Sequence, residues 1–294
     1  MRARLWGLAE RCESTVEIMS RGVIATSATK KRKISDENEF YREVRDFNGT
    51  IGKELFTKGG DEERSEKMVR INVVGGFLSK KFAWAVPDSR ALKIIGTFGP
   101  IIELGCGNAY WASLLREMGC DIIAVDKYSK ENEDGPFIKD IIKGDARILN
   151  KKQSAGRTLL LCYPDDRESL SLECLKYYQG DTLIHIGELA FTTGTLAGGA
   201  DQCQWGRTTC SEFQVELAAQ FHCVLSAKLK MSLPHCKDYI SVWRRSSFVS
   251  MGEGEGECDE GEEEEEEEDL WRAIPAEEEL PDLDVAAPAY KHLL

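Results

Sequence analysis

The sequence predicts an α/β fold built on a mostly parallel sheet, and three observations carry that prediction. Apolar runs of strand length recur from Ile101 onward, with stretches of helical periodicity between them. The first of these strands runs straight into a glycine turn that opens a helix. The pattern then closes on two strand-like runs, Cys223 to Leu229 and Tyr239 to Trp243, joined by a turn containing Pro234, as in an antiparallel hairpin. Strands that are apolar throughout, rather than on alternate residues, must be buried on both sides, so helices are expected on both faces of the sheet.

Each element has its own justification. Residues 1–37 lack sustained periodicity, include Lys30-Lys31-Arg32-Lys33, and read as a flexible basic arm. Phe40, Val44 and Phe47, then Met68, Val69, Asn72 and Val73, recur at near-helical spacing before Gly75-Gly76. Pro87 ends this helical region, and Ser89 is the expected cap of a helix from Arg90 to Ile95. The alternation follows: strand Ile101 to Leu104, helix Tyr110 to Met118, strand Asp121 to Val125, and a weak strand or turn from Phe137 to Lys143. Next come strand Thr158 to Cys162, helix Ser169 to Tyr178, strand Thr182 to Ile186 and helix Glu212 to Phe221. After Ser250 a Gly/Glu tract with seven consecutive glutamates offers no apolar face. Residues 249–294 therefore read as an acidic disordered tail and 38–248 as the folded domain.

Charge follows the same division. The chain of 294 residues carries a net charge of −13, but 18 acids against Arg272 and Lys291 lie between Gly252 and Leu294. The remaining body is close to neutral, at +3. Phosphate binding needs a concentrated basic face, so nucleic acid is not indicated as a partner, whereas the tail suits a basic protein. The ten cysteines include no C-x-x-C, and Cys106, Cys120, Cys162 and Cys223 sit in apolar surroundings, which fits free thiols in a reducing compartment. His222-Cys223 and His235-Cys236 lack zinc-type spacing, so no metal is expected. No run approaches the ~18 apolar residues of a membrane span. Glu10, Glu13 and Glu17 speak against an acid-poor transit peptide. A soluble chain of the cytoplasm or nucleus is the expectation.

The chemistry concentrates in Glu103-Leu104-Gly105-Cys106-Gly107-Asn108-Ala109-Tyr110, between a strand and a helix. Glycines there let a nucleotide-like ligand approach the backbone. Tyr110 stands where the dinucleotide pattern has its third glycine, so a pyrophosphate cradle is disfavoured. Asp126 ends the next strand, 21 residues after Gly105, where a carboxylate accepts both hydroxyls of a ribose. Asp145, within Gly144-Asp145-Ala146, follows the third expected strand. Carboxylates at successive strand ends suit a nucleoside with a cationic tail.

With these residues the sequence resembles the class I, Rossmann-like S-adenosylmethionine-dependent methyltransferases over roughly Phe82 to Arg245. Phe82-Ala83-Trp84-Ala85-Val86-Pro87, Tyr110-Trp111-Ala112 and Leu160-Leu161-Cys162-Tyr163-Pro164 resemble a little-characterised eukaryotic methyltransferase-like group. The resemblance implies a seven-stranded, mostly parallel sheet closed by the C-terminal hairpin, and a methyltransferase-like domain at 38–248. It implies that Gly105 and Gly107 flank the methionine part of S-adenosylmethionine and that Glu103 organises the loop. Asp126 would hold the ribose, and Asp145 with the Ala146 backbone the adenine.

On the acceptor side, Tyr163-Pro164-Asp165-Asp166 follows the fourth strand, where many amino-group methyltransferases carry an Asn- or Asp-Pro-Pro-aromatic motif. The first and third positions differ here, so nucleic-acid amino methylation is not implied. Tyr163, Asp165 and Glu188 are the expected catalytic side chains. They leave the fourth and fifth strands beside the point where strand order reverses. His185 is the weaker candidate for a general base, and a loop from Gly194 to Arg207, with Trp205, is placed to cover substrate. Trp84, Tyr110 and Trp111 are candidate pocket walls. Two rival readings are a nucleotide-dependent oxidoreductase, which Tyr110 disfavours, and a cofactor-binding scaffold with little activity. Identification of co-purified ligand and transfer of a labelled methyl separate them.

Overall fold

The computed structural model describes residues 38–55, 61–128, 135–164, 169–189, 208–234, 236–250, 270–280 and 286–294. The expected basic arm and the Gly194-to-Arg207 loop lie outside these residues, as do Asp165, Asp166 and His235.

Two helices, α1 (Glu39–Leu55) and α2 (Asp61–Lys81), precede α3 (Ser89–Thr97). Then come β1 (Ile101–Leu104), α4 (Tyr110–Glu117), β2 (Ile122–Asp126), β3 (Ile142–Lys143) and β4 (Thr158–Cys162). The rest of the sheet follows with α5 (Leu170–Tyr177), β5 (Thr182–Gly187), α6 (Ser211–Gln220), β6 (Phe221–Lys228) and β7 (Tyr239–Arg245). Seven strands form one sheet in the order β3-β2-β1-β4-β5-β7-β6. The pairs among β1 to β5 are parallel, and β7 runs antiparallel to both β5 and β6. This is the expected Rossmann-like α/β architecture with its C-terminal hairpin. The strand order reverses between β1 and β4, and ligands of such sheets bind outside the carboxyl ends of the strands at that reversal.

The apolar strands divide their side chains between two cores. Ile101, Ala124, Leu160, Ile184 and Ile186 pack on one face with Trp111, Leu115 and Ile94. Ile102, Leu104, Val125, Leu159, Leu161 and Leu183 pack on the other with Leu175, Phe213 and Leu217. Alternate residues of one strand thus enter opposite cores, which is why the runs are apolar at every position. Burying one such Leu or Ile side chain contributes roughly 1.5–3 kcal/mol.

A third core forms where Phe40, Val44, Ile71, Val74 and Leu78 of α1 and α2 meet Phe82 and Tyr110. Phe137 joins it, stacked on Phe82 at 5.9 Å and edge-on to Tyr110 at 4.6 Å. The expected third strand therefore shrinks to Ile142–Lys143, since its first residues serve this aromatic cluster instead. α3 is capped by Asp88, not Ser89: the buried Asp88 carboxylate accepts the Ala91 N–H at 2.9 Å and the Lys230 N–H at 2.8 Å.

The reading of 249–294 as a tail without structure does not hold for its described parts. β8 (Ser247–Ser250) pairs antiparallel with β9 (Leu270–Ala273). Ala286 bridges Leu225 on β6, and the Ala287 N–H donates to the Val224 carbonyl at 2.8 Å. Both alanines are fully buried. Glu278 faces both His222, at 3.0 Å, and Arg244, at 3.6 Å, and accepts the Tyr290 hydroxyl at 3.1 Å. Apolar residues at 286, 287 and 290, diluted in an acidic segment, supply a docking face that composition conceals.

Candidate functional site

A cavity of about 210 Å³ opens at the carboxyl ends of β1, β2 and β4. Its lining includes Glu103, Gly105, Gly107, Asp126, Gly144 and Tyr163. The glycine turn that forms its floor leaves β1 and is held by the Gly105 and Cys106 N–H groups, which donate to the Val125 carbonyl at 2.9 and 3.1 Å. Gly105 has φ 74°, which strains any residue with a Cβ, and a Cβ there would meet Leu170 Cδ2 at 3.1 Å, so that side chain would have to shift. Gly107 also has positive φ, 57°, and Ala109 opens α4 from the left-handed region at φ 58°. Asn108 fastens this turn to α2 by donating its side-chain amide to the Lys80 and Lys81 carbonyls, at 2.6 and 3.1 Å.

Asp126 organises the same turn from β2. One carboxylate oxygen accepts the Gly107 N–H at 2.8 Å and the other accepts the Tyr128 N–H at 2.8 Å. Each oxygen keeps a second lone pair. Glu103 lies beneath the turn, only 1% exposed, and its Oε2 has no partner among the described residues. Burial pushes its carboxyl up to about 8, against a hydrogen bond from the Ala112 backbone, and the nearby Asp126 charge adds to the rise. A buried acid with one oxygen unpartnered among the described residues, in a cavity that a second acid also lines, has the chemistry to take up a cationic group by giving up its proton.

Asp145 and Ala146 occupy a different setting. Asp145 caps a 3₁₀ turn (Ala146–Asn150), accepting the Arg147 N–H at 3.0 Å and pairing with the Arg147 guanidinium. That guanidinium holds its carboxyl down at about 2. Neither Asp145 nor Ala146 is among the lining residues, although Gly144 is, and Ala146 is buried in a core.

On the opposite wall Tyr163 adopts φ 54°, uncommon for a residue with a Cβ, and turns the chain off the end of β4. Its N–H still donates to the Ile186 carbonyl at 2.9 Å, and its ring stacks on Trp84 at 5.9 Å. Burial pushes its phenol well above the usual range, and its hydroxyl donates to Cys236 Sγ at 3.5 Å. Trp84 and Trp111 line the cavity as expected, whereas Tyr110 is committed to the third core and to Asn38 at 3.1 Å.

Glu188 is not part of this lining. Its side chain accepts the Lys237 N–H at 2.7 Å, close to Cys236 and Asp238. His185 is fully buried beside Thr208 Oγ1 at 3.2 Å, and burial lowers its imidazole to about 3, which removes it as a base for the cavity. Sequence reasoning missed Ser79, Phe82, Lys127, Tyr128 and Leu170 as wall residues. For Ser79 and Phe82 the available signal was the helical pattern ending just before the Trp84 segment.

No family model matches the chain, and no curated protein matches it. Similar solved structures include the methyltransferase domain of bacterial CtHen1-C, 12% identical over 60% of this chain and 96% of that one, with TM-score 0.33. The N-methyltransferase NodS from Bradyrhizobium japonicum WM9 is 11% identical over 52% of this chain and 92% of its own, with TM-score 0.35. The O-methyltransferase TomG from Streptomyces achromogenes, in complex with SAM, is 12% identical over 71% and 100%, with TM-score 0.38.

Proposed function

We propose that the chain is an S-adenosylmethionine-dependent methyltransferase whose cofactor enters the cavity at the carboxyl ends of β1, β2 and β4. One observation carries the reading: the orphaned, buried Glu103 oxygen and the Asp126 carboxylate flank a glycine turn at the reversal of strand order. The donor set fits the cofactor. Glu103 matches its ammonium, the backbone at Gly105 and Gly107 permits close approach, and the spare lone pairs of Asp126 match two ribose hydroxyls. Gly144 offers backbone where a base ring would lie.

When bound, S-adenosylmethionine supplies an electrophilic methyl on a sulfonium. The chain's own contribution is positioning, which is the main requirement of an in-line displacement. Trp84, Trp111 and Tyr163 line the cavity with aromatic rings that hold an acceptor against the methyl, while the Tyr163 hydroxyl is engaged with Cys236 Sγ. The test is mass spectrometry of ligand co-purified with the full chain, followed by transfer of a labelled methyl into fractionated lysate. Recovery of the cofactor or its demethylated product, with label incorporated, is the expected result. A chain that neither retains nor binds either compound overturns the reading.

A further inference from the structure

Beyond the cavity lies a second group of reactive side chains, placed by the register of the sheet. Gly187, the last residue of β5, is paired with Tyr239, the first of β7. One step further along each antiparallel strand stand Glu188 and Asp238, facing each other, with Cys236 two residues before Asp238. One donor atom each from Glu188, Cys236 and Asp238 lie within 4.8 Å of one another. Like charges directly opposite in an antiparallel pair repel. These two also lack a cation: among the described residues no ion pair involves either of them.

Asp238 makes the arrangement harder to explain as packing. It is fully buried, and neither carboxylate oxygen has a hydrogen-bond partner of normal geometry among the described residues. Burial pushes its carboxyl up to about 7, partly opposed by the Ser232 hydroxyl and reinforced by the Glu188 charge. Glu188 is 6% exposed, and its Oε1 is already occupied by the Lys237 N–H. A buried acid with no ion-pair partner beside a second acid must either keep its proton or hold a cation between the two.

We propose that Glu188, Cys236 and Asp238 bind a divalent transition-metal ion, with zinc the best match. A thiolate beside two carboxylates selects a thiophilic borderline ion over magnesium or calcium, which prefer oxygen throughout. Zinc places sulfur at about 2.3 Å and oxygen at about 2.0–2.2 Å, so the three donors, within 4.8 Å of one another, draw together by up to about 1 Å around one ion. Three protein ligands leave a fourth position open. The Tyr163 hydroxyl lies 3.5 Å from Cys236 Sγ, and its ring belongs to the cavity wall. Binding takes the proton from the Cys236 thiol, and any held by Asp238, and releases it to solvent. The site is independent of the cofactor reading and stands even if the cavity binds nothing.

The test uses the full chain, stripped with chelator and titrated with zinc or with cobalt as a coloured substitute. The expected result is one tight equivalent of zinc, a zinc-dependent rise in melting temperature and a thiolate-to-cobalt charge-transfer band in the near ultraviolet. Cys236→Ser should abolish the band, and Cys236→Ser, Asp238→Asn and Glu188→Gln should each weaken zinc binding by more than ten-fold. Comparison with these variants removes binding by the other thiols and the glutamate run. Unchanged stoichiometric binding in Cys236→Ser and Asp238→Asn overturns the site. A wild-type chain with neither the band nor the thermal rise overturns it whether or not the variants fold. If Asp238→Asn stabilises a chain that zinc does not affect, the pair merely shares a proton, and the proposal again fails.

Discussion

Asp126 spends both carboxylate oxygens on the backbone of the glycine turn and still has acceptor capacity facing the cavity. Its removal should therefore loosen the turn and delete the ribose contacts together. Asp126→Ala is expected to weaken S-adenosylmethionine binding roughly ten- to a hundred-fold, the ~1.5–3 kcal/mol of a charge-assisted hydrogen bond. Asp145 is already engaged with Arg147, so Asp145→Asn should change the same affinity by less than about three-fold. Calorimetry on both variants checks the ranking, and equal losses would mean that Asp145 contributes to binding as much as Asp126. Glu103 makes a different prediction. Its carboxyl binds a proton up to about pH 8 in the folded chain, against 4.5 for the ordinary group. The folded state keeps a proton that the unfolded state has released, so stability is highest below pH 4.5 and falls as pH rises toward 8. The slope reaches at most about 1.4 kcal/mol per pH unit for this one group. Asp238, at about 7, acts in the same direction. In the ligand-free, metal-free chain, Glu103→Gln should flatten the decline in urea midpoint between pH 5 and 8. An unchanged slope would mean that Glu103 ionises freely in place.

At the scale of elements, the strands were legible wherever an apolar run ended on a charge or a turn. β4 matches its expected limits, Thr158 to Cys162, because Arg157 and the Tyr163-Pro164 turn bound it. β3 was not legible beyond two residues, since Phe137 looks like a strand residue but belongs to an aromatic cluster assembled from distant segments. The glycine turn and Asp126 could be read because their relation is local to one β-α-β unit. The Glu188–Asp238 juxtaposition could not, because it depends on which strand β5 pairs with. One junction between elements rests on a single hydroxyl. Tyr178 Oη accepts the Leu159 N–H at 3.2 Å and donates toward the Arg157 and Thr182 carbonyls, joining β4, β5 and the end of α5. Tyr178→Phe removes this junction from a buried setting and is expected to cost about 1–3 kcal/mol. Chemical denaturation measures it, and a loss below about 0.5 kcal/mol would show that water replaces the hydroxyl.

For the whole molecule, charge proved a poor guide to where folding stops. Seven consecutive glutamates made the segment after Ser250 read as entirely solvated, yet β9, Glu278, Ala286, Ala287 and Tyr290 engage the body. A chain ending at Ser250 should accordingly melt several degrees lower than full length, at about 2–4 °C per kcal/mol for a domain of this size. Replacing only 251–269 with a short neutral linker should leave the melting temperature nearly unchanged. Scanning calorimetry distinguishes the two, and a full-length melting temperature in the truncated chain would mean that the docked segment contributes nothing.

The position of that segment matters beyond its contribution to melting. β6 is the last strand of the sheet, eight residues long and largely buried, and residues 286 and 287 hydrogen-bond along its outer side. Without them the strand would present bare N–H and C=O groups to any extended segment of another chain. Proteins ordinarily guard such an edge with a bulge, a charge or a cover. β6 has an irregularity between Cys223 and Leu225, and among the described residues 286 and 287 cover its outer side there. During synthesis the strands of the sheet emerge before residues 286 and 287, so this part of the β6 edge is covered only after the sheet itself can form.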